Sequence, residues 1–162
     1  MLQYNKYIKN DNYSTPLCYL KIINPFIPDG YIINDPFYFN GLVKDKWSQL
    51  GRNIVHEDKN FFDISKNNKK EIYVTNPSYS NFKEVLKHFF YLDKPFILLI
   101  PINKIAQIKI QKILKNKDNL QLIISPIYTG FINDKNEKTR CPSQYFGYLC
   151  YKIYLKKDLL FI

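Results

Sequence analysis

Phe96-Ile97-Leu98-Leu99-Ile100 is apolar at every position and is followed at once by Pro101. A strand with one wet face alternates polar and apolar residues, whereas an unbroken apolar strand is covered on both faces. Covering both faces takes helices above and below a mostly parallel sheet, so this one run points to an α/β layered domain. Extended to Ile102 the run is still far too short for a bilayer, which needs about 20 apolar residues. No membrane partner is expected.

The flanking segments supply the other parts of such a fold. Tyr31 to Asn34 reads as a short strand ending at Asp35-Pro36. Asn53 to His56 reads as a second, ending in the acidic pair Glu57-Asp58, and Ile72 to Thr75 as a third. Asn40 can cap a helix from about Gly41 to Leu50, with Val43, Trp47 and Leu50 on one face and Gly51 as its stop. Asn81 with Glu84 has the form of a capping box. The helix after it carries Phe82, Val85, Leu86, Phe89 and Phe90 at helical spacing. Ile102, Ile105, Ile108, Lys109, Lys112 and Ile113 fit an amphipathic basic helix. Leu120 to Ser125 reads as a strand, and Tyr145 to Leu155 as one strand or hairpin arm. Residues 1–13 read as a tail or an added strand of a single domain spanning 1–162. Lys66 to Lys70 and Asn133 to Lys138 read as polar loops. The expectation is that 31–34, 54–56, 72–75 and 96–100 are parallel neighbours, with 72–75 central. Ligands of such sheets bind beyond the carboxyl ends of the strands. That rule singles out Asp35 to Gly41, Glu57-Asp58 and Asn76 to Ser80.

The formal net charge is +10, which favours polyanions such as nucleic acid. Nearly all of the basic residues are lysine; the arginines are Arg52 and Arg140. Abundant Lys, Asn, Ile and Tyr is also what an A/T-rich genome encodes. The near absence of Arg argues against a module that reads base edges in a groove. Cys18, Cys141 and Cys150 are odd in number and widely spaced, so neither a disulfide framework nor a zinc site is expected, and no metal is. His56, His88 and Trp47 read as packing residues. The first six residues lack an apolar segment, so no secretory signal is expected. The expected compartment is intracellular, cytoplasmic or nuclear, and a viral origin fits the composition.

Asn76-Pro77-Ser78-Tyr79 follows a predicted strand and precedes a capped helix and then Lys94-Pro95-Phe96. In this order the segment resembles the class I S-adenosylmethionine-dependent methyltransferases that act on exocyclic amines, chiefly adenine. Their pattern is Asn or Asp, Pro, Pro, then an aromatic residue. Thr15-Pro16 sits where that family has a Thr-Pro before its first strand. Asp35-Pro36-Phe37-Tyr38-Phe39-Asn40-Gly41 sits at its glycine-rich cofactor loop. This variant of the loop resembles a branch found in protists and large viruses. The likeness covers about residues 14–105 and implies a Rossmann-like fold, mostly parallel with an antiparallel C-terminal strand.

The resemblance implies S-adenosylmethionine as cofactor, held by Asp35, Pro36, Tyr38 and Gly41, with Glu57 or Asp58 at its ribose and Asp63 near its adenine. It implies Asn76, Pro77 and Tyr79 as catalytic residues, and Ser78, Ser80 and Lys104 fall on the substrate side. An adenine amine is a poor nucleophile because its lone pair is delocalised into the ring. The Asn76 side-chain oxygen and the Pro77 carbonyl would accept its two N–H bonds and localise that pair, which is catalysis by positioning and electrostatics. Tyr79 would stack on an extruded or single-stranded base. The implied partner is DNA or RNA, and a protein partner would supply target recognition, because the length leaves no room for a second domain. Two departures stand out: Phe39 replaces the loop's middle glycine, and Ser78 replaces the second proline. The first favours an alternative, a non-catalytic scaffold or nucleic-acid-binding subunit with the same fold. A basic virion or ribonucleoprotein component is a third reading.

Overall fold

A computed structural model describes residues 13–127, 130–131 and 145–162. Strands β1 (Ile32–Asn34), β2 (Ile54–Val55), β3 (Glu71–Thr75), β4 (Phe96–Pro101), β5 (Leu120–Ile124), β6 (Phe146–Tyr151) and β7 (Leu159–Phe161) form one sheet in the order β2-β1-β3-β4-β6-β5-β7. The first four strands are parallel neighbours, as their apolar runs predict, and β3 lies between β1 and β4. β6 runs antiparallel between β4 and β5, and β7 is parallel to β5 at the edge. The result is a mixed α/β layer, mostly parallel with an antiparallel part towards the C-terminus.

Side chains alternate across the pleat, so each interior strand feeds two cores. Ile72, Val74, Ile97, Leu99, Tyr148 and Cys150 point to one side, where α1 (Leu17–Ile23) and α2 (Leu42–Gln49) bring Tyr19, Leu20, Ile23 and Trp47. Tyr73, Phe96, Leu98, Ile100, Leu149 and Tyr151 point to the other, under α3 (Phe82–Leu92) and α4 (Ile108–Leu114). Every residue of β3, β4 and β6 is buried, which is the pattern expected of strands roofed on both faces. Trp47 and Phe89 are among the largest fully buried side chains.

Some elements differ from the sequence expectation. The basic helix over 102–113 is broken into a 3-10 turn at Ile102–Lys104 and the short α4, with Gln107 in an extended conformation between them. The Ile102 N–H is tied to the Tyr145 carbonyl at 2.9 Å, which extends the β4–β6 ladder past Pro101. Asn81 is the N-cap of α3 but makes no side-chain cap bond, and Glu84 turns to Lys87 at 3.3 Å, so the capping box is not formed. Helix α1 and strand β7 have no counterpart in the sequence reading. The first is two turns long and lies between Pro16 and Pro25; the second is three residues long. Residues 1–12 of the expected tail, the loop from Asn133 to Lys138, and Cys141 lie outside the described residues. No helix among the described residues is long and apolar enough to cross a membrane.

Candidate functional site

The chain leaves β1 outward to β2 and then crosses to β3 on the opposite side of β1. The loops after β1 and β3 therefore part, and a crevice opens at the carboxyl ends of these two strands. This is where open α/β sheets bind ligands. Two of the three places singled out from sequence, Asp35 to Gly41 and Asn76 to Ser80, flank it.

Asp35 forms the floor. Its side chain is buried, yet its Oδ1 accepts from the Thr75 hydroxyl at 2.5 Å and from the Phe37 N–H at 3.2 Å. Burial pushes its pKa up to about 6, against the lowering effects of His56 and of those two hydrogen bonds. His56 Nδ1 lies 2.9 Å from the Asp35 carbonyl, and its ring sits 4.8 Å from that of Tyr38. His56 and Thr75 thus belong to the site although sequence reasoning assigned no role there to either. Their only signal was position, each being the last residue of a predicted strand. Lys46 braces the rim, donating to Ser14 Oγ at 2.6 Å and to the Thr15 carbonyl at 2.7 Å.

Two hollows lie above Asp35, and Thr15, Asp35, Val43 and Asn76 line both. Their cavity volumes are about 10 and 30 Å³, room for one water at most in the smaller and about two in the larger. Phe39 lines the larger. Pro36 is buried and Tyr38 half-buried in the same loop. Gly41 adopts φ +75°, and a Cβ there would lie 2.7 Å from the Tyr38 hydroxyl. This glycine therefore answers to the turn into α2, where Asn40 Oδ1 accepts from the Leu42 N–H at 3.2 Å.

Asn76 stands at the end of β3, with Pro77 buried behind it. Tyr79 does not present its ring outwards as a stacking face. It packs against both cores, 6.3 Å from Phe146 and 6.5 Å from Phe82. Its hydroxyl meets the Asn76 side-chain amide and lies 2.9 Å from the Leu99 carbonyl. A tyrosine has one proton to donate. Turning the Asn76 amide by half a turn satisfies all three groups: Nδ2 donates to Tyr79, Tyr79 donates to Leu99, and Asn76 Oδ1 is released as an acceptor. Lys104 donates to the Tyr79 carbonyl at 3.0 Å, and the Ser78 and Ser80 hydroxyls are 3.1 Å apart.

Glu57, Asp58 and Asp63 lie outside this tight group. Glu57 and Asp58 are exposed beyond β2, and the Lys59 ammonium against Glu57 holds its carboxyl below the ordinary range. Asp63 is exposed in the 3-10 turn Phe61–Asp63 and accepts from Asn60 Nδ2 at 3.1 Å. That turn is anchored to the crevice loop through Phe61 and Phe37, whose rings are 5.0 Å apart.

The geometry thus couples a buried carboxyl with a raised pKa to an asparagine acceptor across a narrow polar cleft. That arrangement can hold a cation beside an amine donor. No family model and no curated protein matches the chain.

Proposed function

We propose that this chain is a small class I S-adenosylmethionine-dependent methyltransferase-like protein acting on an exocyclic amine, adenine in DNA or RNA being the expected substrate. The observation that carries the reading is the juxtaposition of Asp35 and the Asn76 segment. The Thr75 hydroxyl bridges to Asp35 at 2.5 Å across 40 residues of chain, and Asp35 and Asn76 line the same hollows at the sheet's switch point.

The residues fit the cofactor in chemistry and are tight in space. Burial keeps the Asp35 carboxyl's pKa raised in spite of His56 beside it, and the ammonium of the cofactor's methionine part would supply a further cation. Exposed carboxylates at Glu57 and Asp58 suit the ribose diol. The Phe39 ring would have to swing aside for a ligand of nucleoside size. When bound, the cofactor supplies an electrophilic methyl group on a sulfonium centre. Asn76 Oδ1 and the Pro77 carbonyl accept the amine's N–H bonds and turn its lone pair out of conjugation. Tyr79 acts through Asn76: its hydroxyl fixes the amide and its ring is occupied by the core. It is a positioning residue in this reading, in place of the stacking platform that the sequence suggested.

One observation favours the scaffold alternative, namely Phe39 lining the larger hollow. Calorimetric titration with S-adenosylmethionine, followed by transfer of a labelled methyl group to DNA and RNA, separates the two. Binding with incorporation supports the enzyme. Binding without incorporation into any nucleic acid, with candidate partner proteins added, supports the scaffold. Absence of binding overturns the cofactor assignment.

A further inference from the structure

The strands β1, β2, β3, β4, β5 and β7 all start at one end of the sheet, opposite the crevice, and β6 finishes there. The loops at that end are 28–31, 52–53, 65–70, 93–95, 115–119 and 152–158, and they hold much of the chain's lysine. Hydrogen bonds knit them into one surface. Lys94 donates to the Lys69 carbonyl, the Lys152 N–H to the Asn119 carbonyl at 3.1 Å, and Gln121 Nε2 to the Leu155 carbonyl at 3.0 Å. The acids in this region are few. Asp93 is paired with Lys152 at 2.7 Å, Asp29 faces Arg52 at 3.8 Å, Asp118 and Asp158 lie in the loops, and Glu71, at the start of β3, is buried and accepts from Asn67 Nδ2 at 2.8 Å.

Aromatic rings are interleaved with these lysines. Lys66 lies 5.2 Å from the centre of the Tyr91 ring, Lys70 lies 5.0 Å from Tyr31, and Lys117 lies 4.8 Å from Phe90. Tyr91 is 52% exposed and Tyr154 is 72% exposed. Every non-glycine residue with positive φ among the described residues is also here: Asp93, Asn119, Lys152 and Tyr154. Asp and Asn take left-handed backbone readily, and Asp93 does so as the C-cap of α3, so the costly positions are Lys152 and Tyr154, at about 1–2 kcal/mol each. Tyr154 in particular is held left-handed with its ring in water.

We infer that the amino-terminal end of the sheet is a docking surface for single-stranded nucleic acid, with lysines on the phosphates and the exposed tyrosines against unstacked bases. Charge complementarity carries the choice of partner. The loops at this end carry nine lysines and Arg52 against four aspartates, whereas at the crevice end Asp35, Glu57, Asp58 and Asp63 stand among Lys44, Lys46, Lys59 and Lys104 and offset them. The exposed rings favour a single strand, because duplex bases offer no free faces. Lysine in large excess over arginine, with Arg52 turned to Asp29, suits sequence-independent binding. The surface does not depend on methyl transfer and stands if the enzymatic reading fails.

The test is fluorescence anisotropy with a labelled oligouridylate or oligothymidylate of about 20 nucleotides, titrated over a range of salt. Lys69→Glu with Lys117→Glu should weaken binding about tenfold or more. It should also lower the salt slope by about 0.7 for each phosphate that is no longer neutralised. Lys44→Glu with Lys83→Glu changes the net charge equally but lies on the first turns of α2 and α3, at the crevice end, and should cost less than about twofold. Tyr154→Ala and Tyr91→Ala should each weaken binding about fivefold or more with the salt slope unchanged. Circular dichroism checks that each variant is folded. Equal losses in the two lysine pairs would reduce the effect to bulk charge and overturn the surface. Tighter binding to a duplex or to anionic phospholipid vesicles than to the single strand would overturn the choice of partner.

Discussion

The two ends of this sheet are built on opposite principles. At the carboxyl end a few polar groups are buried and mutually dependent: Asp35 leans on Thr75, Asn76 on Tyr79, and Tyr79 on Leu99. At the amino end many charges are exposed and nearly independent, spread over six loops. Buried networks fail when one member is removed, because the partner is left unsatisfied. Exposed charges act additively and are dulled by salt. Single substitutions should therefore be drastic at the crevice and mild at the lysine end, which can be checked residue by residue.

The largest effect is expected at Asn76. In Asn76→Ala, methyl transfer should fall about 100- to 1000-fold, the loss typical of one positioned polar group acting on developing charge. Calorimetry should find cofactor affinity little changed, because the amide addresses the amine and not the cofactor. Tyr79→Phe should lower turnover in the same direction but less, since the amide keeps its place in the chain and loses only its anchor. An Asn76→Ala protein as active as wild type would remove the motif from the site and erase the contrast between the two ends.

Next in size is Asp35, where the raised pKa gives a signed prediction. The folded protein holds this proton to about pH 6, whereas an ordinary carboxyl releases it at 3.8. Between these values the folded state binds more protons than the unfolded one, so stability falls as pH rises. The shift corresponds to a loss on the order of 2–3 kcal/mol between pH 4 and pH 7, at about 1.36 kcal/mol per pH unit. Asp35→Asn keeps an oxygen for Thr75 and Phe37 and should flatten that stretch of the melting-temperature profile. A cationic ligand should bind more tightly above pH 6 than below it, because it needs the carboxylate. A profile that is equally steep in wild type and variant would show that the titrating group is elsewhere.

The parallel half of the sheet was legible because its signals were local. The unbroken apolar run of β4, the helical spacing from Phe82 to Phe90 and the acid or asparagine just after β1, β2 and β3 are each local signals within a dozen residues. The crevice was legible for the same reason, since Asp35 and Asn76 end adjacent strands. What could not be read depended on the third dimension. The inward turn of Tyr79 is set by a core assembled from β4, β6 and α3. The break between Lys104 and Ile108, with Gln107 extended, leaves no mark in the helical spacing of 102–113. The lysines looked like compositional drift along the chain, and only the strand order brings six loops to one end. Strand β7 is too short for any period to show.

Gly41 sharpens the contrast from another side. The resemblance places this glycine among the residues that hold the cofactor, and its φ of +75° also gives it a part in the turn into α2. Gly41→Ala should cost about 1–2 kcal/mol of stability from left-handed backbone alone, because the Tyr38 hydroxyl it would crowd is the movable end of a side chain. Denaturant unfolding should report that loss. A cofactor affinity that falls no further than the stability does would assign Gly41 to local conformation.

The smallest effect is expected at Lys152, where two terms oppose each other. Lys152 pairs with Asp93 at 2.7 Å, and its ammonium holds the Asp93 carboxyl below its ordinary pKa. Both side chains remain partly exposed, so the pair contributes only about 0.2–1 kcal/mol. Lys152 also occupies left-handed backbone at φ 55°, which costs a non-glycine residue about 1–2 kcal/mol. Lys152→Gly loses the first term and recovers the second, offset in turn by the greater chain freedom of glycine when unfolded. The melting temperature should therefore move by less than about 3 °C, the scale of 1 kcal/mol in a domain of this size. Affinity for single-stranded oligonucleotide should fall modestly, about twofold, as one of many cations facing the phosphates disappears. A collapse of stability in Lys152→Gly would mean that the lysine end, too, is a cooperative buried network, and the distinction between the two ends of the sheet would fail.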